Sequence, residues 1–374
     1  MSAATSVEHR ALIREGHTLR IQRDLTTPGL GASVFRILRA GVCGTDLQIL
    51  RGARRDQATI LGHEAIAVRE ATEHGARGCV IFNPVYRANQ DQILGHSYPG
   101  VWQDPLITSN PCHSVPAQQT LPVDLGPLVE PIATALYAWE LMSVHLPARS
   151  RVAVIGGGSA AMLVAIVGEQ LGYRMLLVHP RRERLAYLTR LCLLASTDLS
   201  TQLAPGSVDG ALVCAPREAA IPVLAQAVSA VTDGGVVDLF GGIADDLRHP
   251  ALPGARLGAV RRRNICGHNA LKPAVQQTLS DQGKKLWITG HRGTSDEQLE
   301  QAQLHLLHDP ERFAAMITSV ISLEAAAQQI PMMAQQIHTG GEHLKVLVDP
   351  TMTTYSRPVD LTVTVADLLA QEHS

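Results

Sequence analysis

The fold of this 374-residue chain is decided by the stretch Val152-Ala153-Val154-Ile155-Gly156-Gly157-Gly158-Ser159-Ala160-Ala161. A short apolar run leads into glycines and then into the start of a helix, which is the strand–turn–helix order of a dinucleotide-binding βαβ unit. Gly156 permits the tight turn, Gly158 lets the backbone approach a pyrophosphate, and Ala161 allows the helix to pack closely on the strand. We expect the phosphates beside Ser159 and Ala160, because free N–H groups and the helix dipole favour anions there.

The next strand ends in Val178-His179-Pro180-Arg181-Arg182. A site specific for NAD usually places Asp or Glu at this point to bind the ribose 2′-hydroxyl. That acid is missing here, and two arginines follow. We therefore expect His179, Arg181 and Arg182 to form a pocket for a 2′-phosphate, which favours NADP over NAD. The alternative interpretation is a solvated basic start of a helix.

The residues after this stretch alternate between apolar runs and helical patterns. Beyond the strand at 151–155, the pattern predicts helices at 159–171 and 183–194 and strands at 175–178, 209–213, 235–240 and 286–288. Short apolar strands separated by helices indicate a parallel, doubly wound sheet.

The two ends of the chain have a different character. Residues 10–131 are rich in Gly and Pro with short β-type runs such as 33–38 and 79–82, which is typical of an irregular, mostly β domain. Near the other end, the pattern predicts helices at 296–307 and 323–333, a strand at 344–348, a β-like run at 359–365 and a short helix reaching 372.

Composition excludes several classes of function. A net charge of −2 gives no reason to expect nucleic acid or an anionic membrane as partner. No apolar run approaches the roughly 20 residues that span a bilayer, and residues 1–10 lack a hydrophobic signal core, so we expect a cytoplasmic protein. The six cysteines form no CxxC pair and suggest no disulfide framework.

Metal-binding side chains occur in three short motifs, Gly41-Val42-Cys43-Gly44-Thr45-Asp46, Gly62-His63-Glu64 and Val129-Glu130-Pro131. Zinc takes Cys, His and carboxylate ligands, and a catalytic zinc site leaves one position open. Cys43 and His63 are the natural first ligands. Glu64 or Glu130 would supply the third, with the other in reserve or bonded through water. Zinc together with a nicotinamide nucleotide indicates alcohol–carbonyl redox chemistry.

These motifs resemble the zinc-dependent medium-chain dehydrogenase/reductase family, in particular its sorbitol dehydrogenase-like polyol branch. The matching stretches are 40–46, 61–64, 128–133, 152–161, 234–242, 289–294 and 341–350. The resemblance implies an α/β fold with a discontinuous, GroES-like, mostly β catalytic domain (1–132 and 291–374) and a Rossmann coenzyme domain (133–290). It also implies zinc ligation by Cys43 and His63, with Glu64 following His63 as in the polyol branch.

Two further roles are implied by the same resemblance. Glu130 matches the position where the polyol branch has Glu and other alcohol dehydrogenases have Cys. Thr45 matches the hydroxyl that takes the substrate proton.

Three departures from the family pattern affect the site. No cysteine follows Asn83-Pro84 up to Tyr98, so we predict no structural zinc and one catalytic zinc per chain. Gln48 stands where the family's proton relay often ends in His, and an amide cannot carry a proton by changing charge. The stretch between Glu64 and Cys79 is short, so we expect an unusual wall of the substrate pocket.

Further residues are candidates for the substrate pocket, although packing or surface roles are the more common explanation. The resemblance suggests His96, Tyr98 and Trp102, and His268 and His291 are further candidates. Arg51, Arg54 and Arg55 would suit a phosphorylated sugar, and a solvated charge run is the alternative.

Together these observations predict a zinc-dependent oxidoreductase that transfers hydride between a nicotinamide cofactor and an alcohol or ketone. The expected substrate is a polyol, aminocyclitol or sugar derivative. Two alternatives are a zinc-independent biosynthetic reductase of an activated C=C or iminium, and a non-catalytic nucleotide-binding protein on the same fold. Because members of the family are commonly dimers or tetramers, we expect a homodimer or homotetramer.

Overall fold

The computed structural model describes residues 6–71, 76–86, 89–109, 113–244, 246–267, 272–336 and 341–371. The chain divides into two compact units, unit 1 (Met1–Pro131 and Ser295–Ser374) and unit 2 (Ile132–Thr294). Among the described residues, no helix is both long and apolar enough to cross a membrane.

The N-terminal elements belong mostly to unit 1. They are β1 (Val7–Glu15), β2 (Thr18–Thr26), β3 (Ser33–Gly41), α1 (Gly44–Leu50), β4 (Ala65–Arg69), β5 (Gly78–Asn83), β6 (Gln103–Asp104), β7 (Leu106–Thr108), β8 (His113–Pro116), a 3-10 helix (Val123–Leu128) and α2 (Val129–Ser143).

The middle of the chain forms unit 2. Its elements are β9 (Arg151–Ile155), α3 (Ser159–Gln170), β10 (Arg174–Val178), α4 (Arg182–Arg190), β11 (Asp198–Ser200), β12 (Val208–Val213), a 3-10 helix (Arg217–Ala219), α5 (Ala220–Ala230), β13 (Val231–Asp238), α6 (Leu257–Arg262), β14 (Gln276–Leu279) and β15 (Lys285–Thr289).

The C-terminal segment returns to unit 1. It contains α7 (Asp296–His308), α8 (Pro310–Ala314), β16 (Ile317–Ser322), α9 (Leu323–Gln336), β17 (Lys345–Asp349), β18 (Ser356–Arg357) and α10 (Val365–Gln371).

Unit 2 is built on one twisted sheet with the strand order β11-β10-β9-β12-β13-β15-β14. Its ladders are parallel except for β14, which pairs antiparallel with β15. The central strands are apolar and buried, as expected for a sheet covered on both faces. This is the parallel, doubly wound arrangement that the alternating pattern predicts.

Unit 1 is mostly β and combines both ends of the chain. Its larger sheet follows the order β18-β16-β17-β3-β4-β5-β8, with β7 pairing beside it on β3. β1, β2 and β6 form a second, antiparallel sheet. Because β17 pairs directly with β3, the C-terminal segment lies beside the strand that leads to Cys43.

The expected strand at 359–365 is wrong. Apart from a single bridge at Thr364, residues 359–364 form no strand, and α10 begins at Val365. The Asp360 carboxylate accepts hydrogen bonds from the Thr362 backbone N–H (2.8 Å) and hydroxyl (2.6 Å). Thr364 and Asp367 exchange hydrogen bonds as a capping pair at the start of α10. These local side-chain bonds offer the backbone an alternative to a sheet ladder.

The C-terminal tail is fastened to unit 1 through Asp124. Arg357 donates to both oxygens of this buried carboxylate (2.6 and 2.8 Å), and Arg39 donates to Oδ1 at 2.6 Å. Although burial opposes the effect, these bonds lower the pKa of Asp124. The tail is therefore bonded to the 3-10 helix that ends two residues before Glu130.

Candidate metal and nucleotide sites

Cys43 stands at the N-cap of α1. Its backbone N–H donates to Asp46 Oδ2 at 2.9 Å, which closes a capping box on the first turn of the helix. The other oxygen of Asp46 accepts the backbone N–H of Gly62 at 3.2 Å. One fully buried carboxylate therefore joins the Cys43 loop to the turn that carries His63.

The turn before β4 presents His63 and Glu64 side by side. Gly62 has a φ of 88°, in the left-handed region that favours glycine. A Cβ at this position would also lie 2.5 Å from the Trp102 ring. Both the turn and the close approach of the Trp102 ring therefore favour glycine at position 62.

The structure brings together three of the predicted zinc ligands. One ligand atom from each of Cys43, His63 and Glu64 lies within 4.8 Å of the others. His63 and Glu64 are buried, and Cys43 is partly exposed. Although burial opposes it, the neighbouring Asp46 and Cys43 raise the pKa of His63 well above its usual value. A thiol, an imidazole and a carboxylate are the donor set that zinc accepts.

Glu64 is held by a lysine that the sequence analysis did not single out. Its carboxylate forms an ion pair with Lys345 Nζ, and both side chains are about 1% exposed. Burial lowers the pKa of Lys345, but the Glu64 charge outweighs this and the net shift is upward. A Cβ at Gly41 would collide with this pair, so the glycine leaves room for it.

The other predicted residues of this site lie nearby or outside the group. Thr45 and Gln48 lie on α1, and Gln48 Nε2 donates to Gly44 O at 3.3 Å. Glu130 is the second residue of α2 and is buried, but it does not belong to the ligand group. The roles of Thr45, Gln48 and Glu130 stay predictions.

A second group of ligand atoms shares His63. It consists of Asp46, His63 and His96, all buried, again with their ligand atoms within 4.8 Å of one another. The His63 and His96 rings meet edge to face, with centroids 4.7 Å apart. His96 Nδ1 also lies 3.8 Å from a carboxylate oxygen of Asp56.

The remaining candidates for a substrate pocket have different surroundings in the structure. Trp102 is fully buried, and its indole N–H donates to Gly41 O at 3.2 Å. Tyr98 lines a cavity of about 280 Å³ in unit 1. His291 is buried in unit 2, where desolvation and then Arg261 lower its pKa to about 3.

His268 lies outside the described residues. In the charge run, Arg54 binds Asp56 through two bonds of 2.8 and 2.9 Å, while Arg55 is exposed and Arg51 partly buried. The pairing with Asp56 already neutralises the Arg54 charge.

In unit 2 the glycine loop connects β9 to α3 as predicted. A Cβ at Gly156 would lie 2.5 Å from Cys214 O, so the close packing of β9 and β12 requires glycine there. Gly158 is the N-cap of α3, with open space where a Cβ would be. Ser159 and Ala160 form the first turn, and Ala161 is buried. This leaves the N-terminus of α3 open to an approaching anion.

Basic side chains gather beside this loop at the end of β10. The Arg181 backbone N–H donates to His179 Nδ1 at 3.2 Å, and Arg184 Nε donates to Gly157 O at 2.8 Å. Burial, together with the charges of Arg181 and Arg184, lowers the pKa of His179. Arg182 is exposed. Arg184 therefore contacts the glycine loop directly, whereas Arg182 has no described contact with it.

For four residues near these sites, the structure shows contacts that the sequence alone does not predict. Asp46 lies within the Cys43 motif, and the signal for its role is an acid three residues after an N-cap. Arg184 extends the pattern of Arg181 and Arg182 by half a helical turn. Lys345 is a cation in an apolar strand. His96 stays a candidate for the substrate pocket, and its ring also contacts His63.

No family model matches the chain. Over 230 residues it is 25% identical to 2-dehydro-3-deoxy-L-galactonate 5-dehydrogenase from Pseudoalteromonas atlantica, and the match covers 54% of this chain. The chain thus spans 64% of the length of that curated relative.

Solved structures resemble the chain along most of its length. Galactitol-1-phosphate dehydrogenase from Escherichia coli superposes with a TM-score of 0.68 at 18% identity, covering 92% of this chain and 100% of the other. A protein described as a zinc-binding dehydrogenase from Sinorhizobium meliloti, bound to NADP, superposes with a TM-score of 0.65 at 17% identity, with the same coverage. At these identities the similarity establishes the fold, and the predicted GroES-like and Rossmann architecture is confirmed.

Proposed function

We propose that this protein is a zinc-dependent oxidoreductase that transfers hydride between NADP and an alcohol or ketone. The observation that carries the proposal is the Cys43–His63–Glu64 group, in which His63 and Glu64 are buried and Cys43 is partly exposed. Sulfur, nitrogen and oxygen donors on three side chains match a catalytic zinc site, which keeps its fourth position for water or substrate. The donor set therefore fits zinc, and Cys43, His63 and Glu64 would hold it.

When bound, zinc supplies Lewis-acid polarisation of the substrate C–O bond. The protein's own residues prepare this site. Asp46 orients the His63 ring, as carboxylates commonly do behind metal-binding imidazoles. Lys345 holds Glu64 in place and compensates its charge. In the proposed mechanism the Thr45 hydroxyl accepts the substrate proton, and Gln48 or water continues the hydrogen-bonded path outward.

The nucleotide preference is proposed from charge. The end of β10 carries His179 instead of an acid, and Arg181 and Arg184 flank it. Guanidinium groups bind phosphate in a planar, two-pronged geometry, whereas the absence of a carboxylate removes the usual partner of an NAD ribose. NADP bound here would supply the hydride acceptor, or NADPH the donor.

The substrate class is proposed from the named relatives. One is a 5-dehydrogenase of a deoxy sugar acid, and another is a dehydrogenase of a phosphorylated hexitol. Both names describe polyhydroxylated carbon chains. We propose a polyol or sugar-derived alcohol as the substrate of this protein.

Metal analysis and a substrate panel test this function. Purified protein should contain close to one zinc per chain. With polyols, sugar acids, aminocyclitols and sugar phosphates as substrates, NADP reduction is followed by absorbance, and NAD is assayed in parallel. Turnover that is lost on chelation and restored by zinc supports the proposal. Nucleotide binding with a metal-free, inactive protein would contradict it and favour a non-catalytic role.

A further inference from the structure

The least explained part of the candidate metal site is the Nδ1 side of His63. This nitrogen is buried, and among the described residues it makes no hydrogen bond of normal length. The side chains of Asp46 and Cys43 both interact with the ring, and Asp46 lies on its Nδ1 side. The two ligand groups therefore share this imidazole, one with Cys43 and Glu64 and the other with Asp46 and His96.

On the Nδ1 side, one pair of atoms has the spacing of two metal ligands. His63 Nδ1 and Asp46 Oδ1 are 3.5 Å apart, which is longer than a normal N–H···O hydrogen bond. Two ligands bound tetrahedrally to zinc at their usual bond lengths lie about 3.4 Å apart. The separation therefore fits two atoms that share an ion.

The backbone holds His96 in this position through close glycine contacts. Gly95 has a φ of 73°, and a Cβ on Gly95 or Gly100 would lie 2.2 or 2.1 Å from Gly62 O. The His96 carbonyl accepts the Ala58 N–H at 2.9 Å. The turn 95–100 is thus packed on the backbone of the residue before His63, and side chains at either glycine would push His96 away.

We propose that Asp46, His63 and His96 form a second position for a divalent cation beside the Cys43–His63–Glu64 group. A neutral imidazole offers one lone pair, so a single ion occupies one position or the other. The second position has no sulfur, and its nitrogen and oxygen donors suit Zn²⁺, Co²⁺ or Ni²⁺. Lys345 already engages Glu64, one of the three donors of the first position.

This inference rests on the proposed function only in taking the Cys43 group as a metal site, and cobalt binding tests it without turnover. Co²⁺ is added to metal-free protein, and its binding is followed by equilibrium dialysis and absorption. Wild-type protein should show a thiolate-to-cobalt band in the near ultraviolet. Cys43→Ser should lose that band but still bind close to one Co²⁺ per chain.

Further substitutions in the Cys43→Ser protein then show which side chains bind Co²⁺ at the second position. Adding His96→Asn should weaken Co²⁺ binding at least about tenfold, as loss of a ligand or its support does. Adding Glu64→Gln, the matched change on the other side, should alter it less than threefold. Hyperfine-shifted imidazole N–H protons from both His63 and His96 in Co²⁺-loaded Cys43→Ser protein give the same information without a further substitution.

Two results would overturn the inference: Cys43→Ser protein that binds no Co²⁺, or binding that depends on Glu64 and not on His96. Neither result bears on whether the zinc-loaded wild-type enzyme oxidises a polyol. Conversely, an inactive wild-type protein that shows the expected cobalt pattern would remove the proposed function and leave the second position standing.

Discussion

The candidate nucleotide site in unit 2 and the candidate metal site in unit 1 are assembled in opposite ways. In unit 2, the loop at Gly156 and its basic neighbour Arg184 come from one short, continuous stretch. In unit 1, Glu64 forms an ion pair with Lys345, which lies 281 positions further along the chain. Local assembly leaves a readable motif, whereas long-range assembly places the supporting residues where no motif shows them. The two regions should therefore respond separately to substitution.

The largest expected effect is the loss of activity in Cys43→Ser. Removing the thiolate from the catalytic position should lower kcat/KM by about 10³-fold or more, since Lewis-acid catalysis contributes several kcal/mol. NADP binding, measured by fluorescence or calorimetry, should be unchanged because the nucleotide loop lies in unit 2. A parallel loss of nucleotide affinity would show that the two sites are not independent.

Substitution of Lys345 should break its long-range ion pair with Glu64. Lys345→Met leaves a buried Glu64 carboxylate without its cation, and breaking such a pair commonly costs about 3–5 kcal/mol. Denaturant unfolding should show this loss. The double variant Glu64→Gln/Lys345→Met serves as control and should recover most of it. Equal losses in the single and double variants would mean that packing, and not charge, explains the effect.

A buried acid in unit 2 should make stability depend on pH. Asp238, at the end of β13, is fully buried, and among the described residues neither of its carboxylate oxygens has a hydrogen-bond partner. Burial raises its pKa to about 7 against the opposing charge of Arg261. The folded protein holds this proton where the unfolded chain has released it. Stability therefore falls as pH rises from about 4 to about 7 and then levels off.

Asp238→Asn removes this titration. The variant should gain stability relative to wild type above pH 7, by up to about 4 kcal/mol for a shift of this size, and should match it near pH 4. Thermal unfolding between pH 4 and 8 measures the difference. A constant offset across this range would contradict the assignment to Asp238.

The smallest expected effect is on NADP affinity and concerns the arginines beside the glycine loop. Arg181→Ala should raise the Kd for NADP about 10- to 100-fold, as expected for one charge-assisted bond to phosphate, and change NAD binding little. The exposed Arg182→Ala is the matched control and should leave both values nearly unchanged. Equal weakening of NAD and NADP by Arg181→Ala would show that this side chain does not contact a 2′-phosphate.

The sequence predicts features that depend on neighbouring residues. The strand β9, the glycine turn and the start of α3 follow from one stretch, because turn geometry and periodicity are local. Cys43 and His63 are recognisable since each stands in a short glycine-marked motif. Lys345 is not, because its role depends on β17 lying beside β3.

Two differences have identifiable causes. The apolar alternation at 359–365 predicts a strand, but the side chains of Asp360 and Asp367 bind the local backbone and start a helix instead. Arg182 fits the basic pattern, yet the helical turn directs Arg184 to the glycine loop. In both cases a side-chain-to-backbone hydrogen bond decides the outcome, and hydropathy does not encode it.

The closure of unit 1 by the C-terminal segment sets an order of events during synthesis. Unit 2 is continuous, so all of its strands have been made before residue 295 is added. Unit 1 at that moment lacks β16, β17 and the Arg357 that fastens the tail to Asp124. Since domains fold as units while the chain is being made, we expect unit 2 to complete its fold first. The Cys43 thiol, by contrast, belongs to unit 1, which lacks β16 and β17 until the last part of the chain has been synthesised.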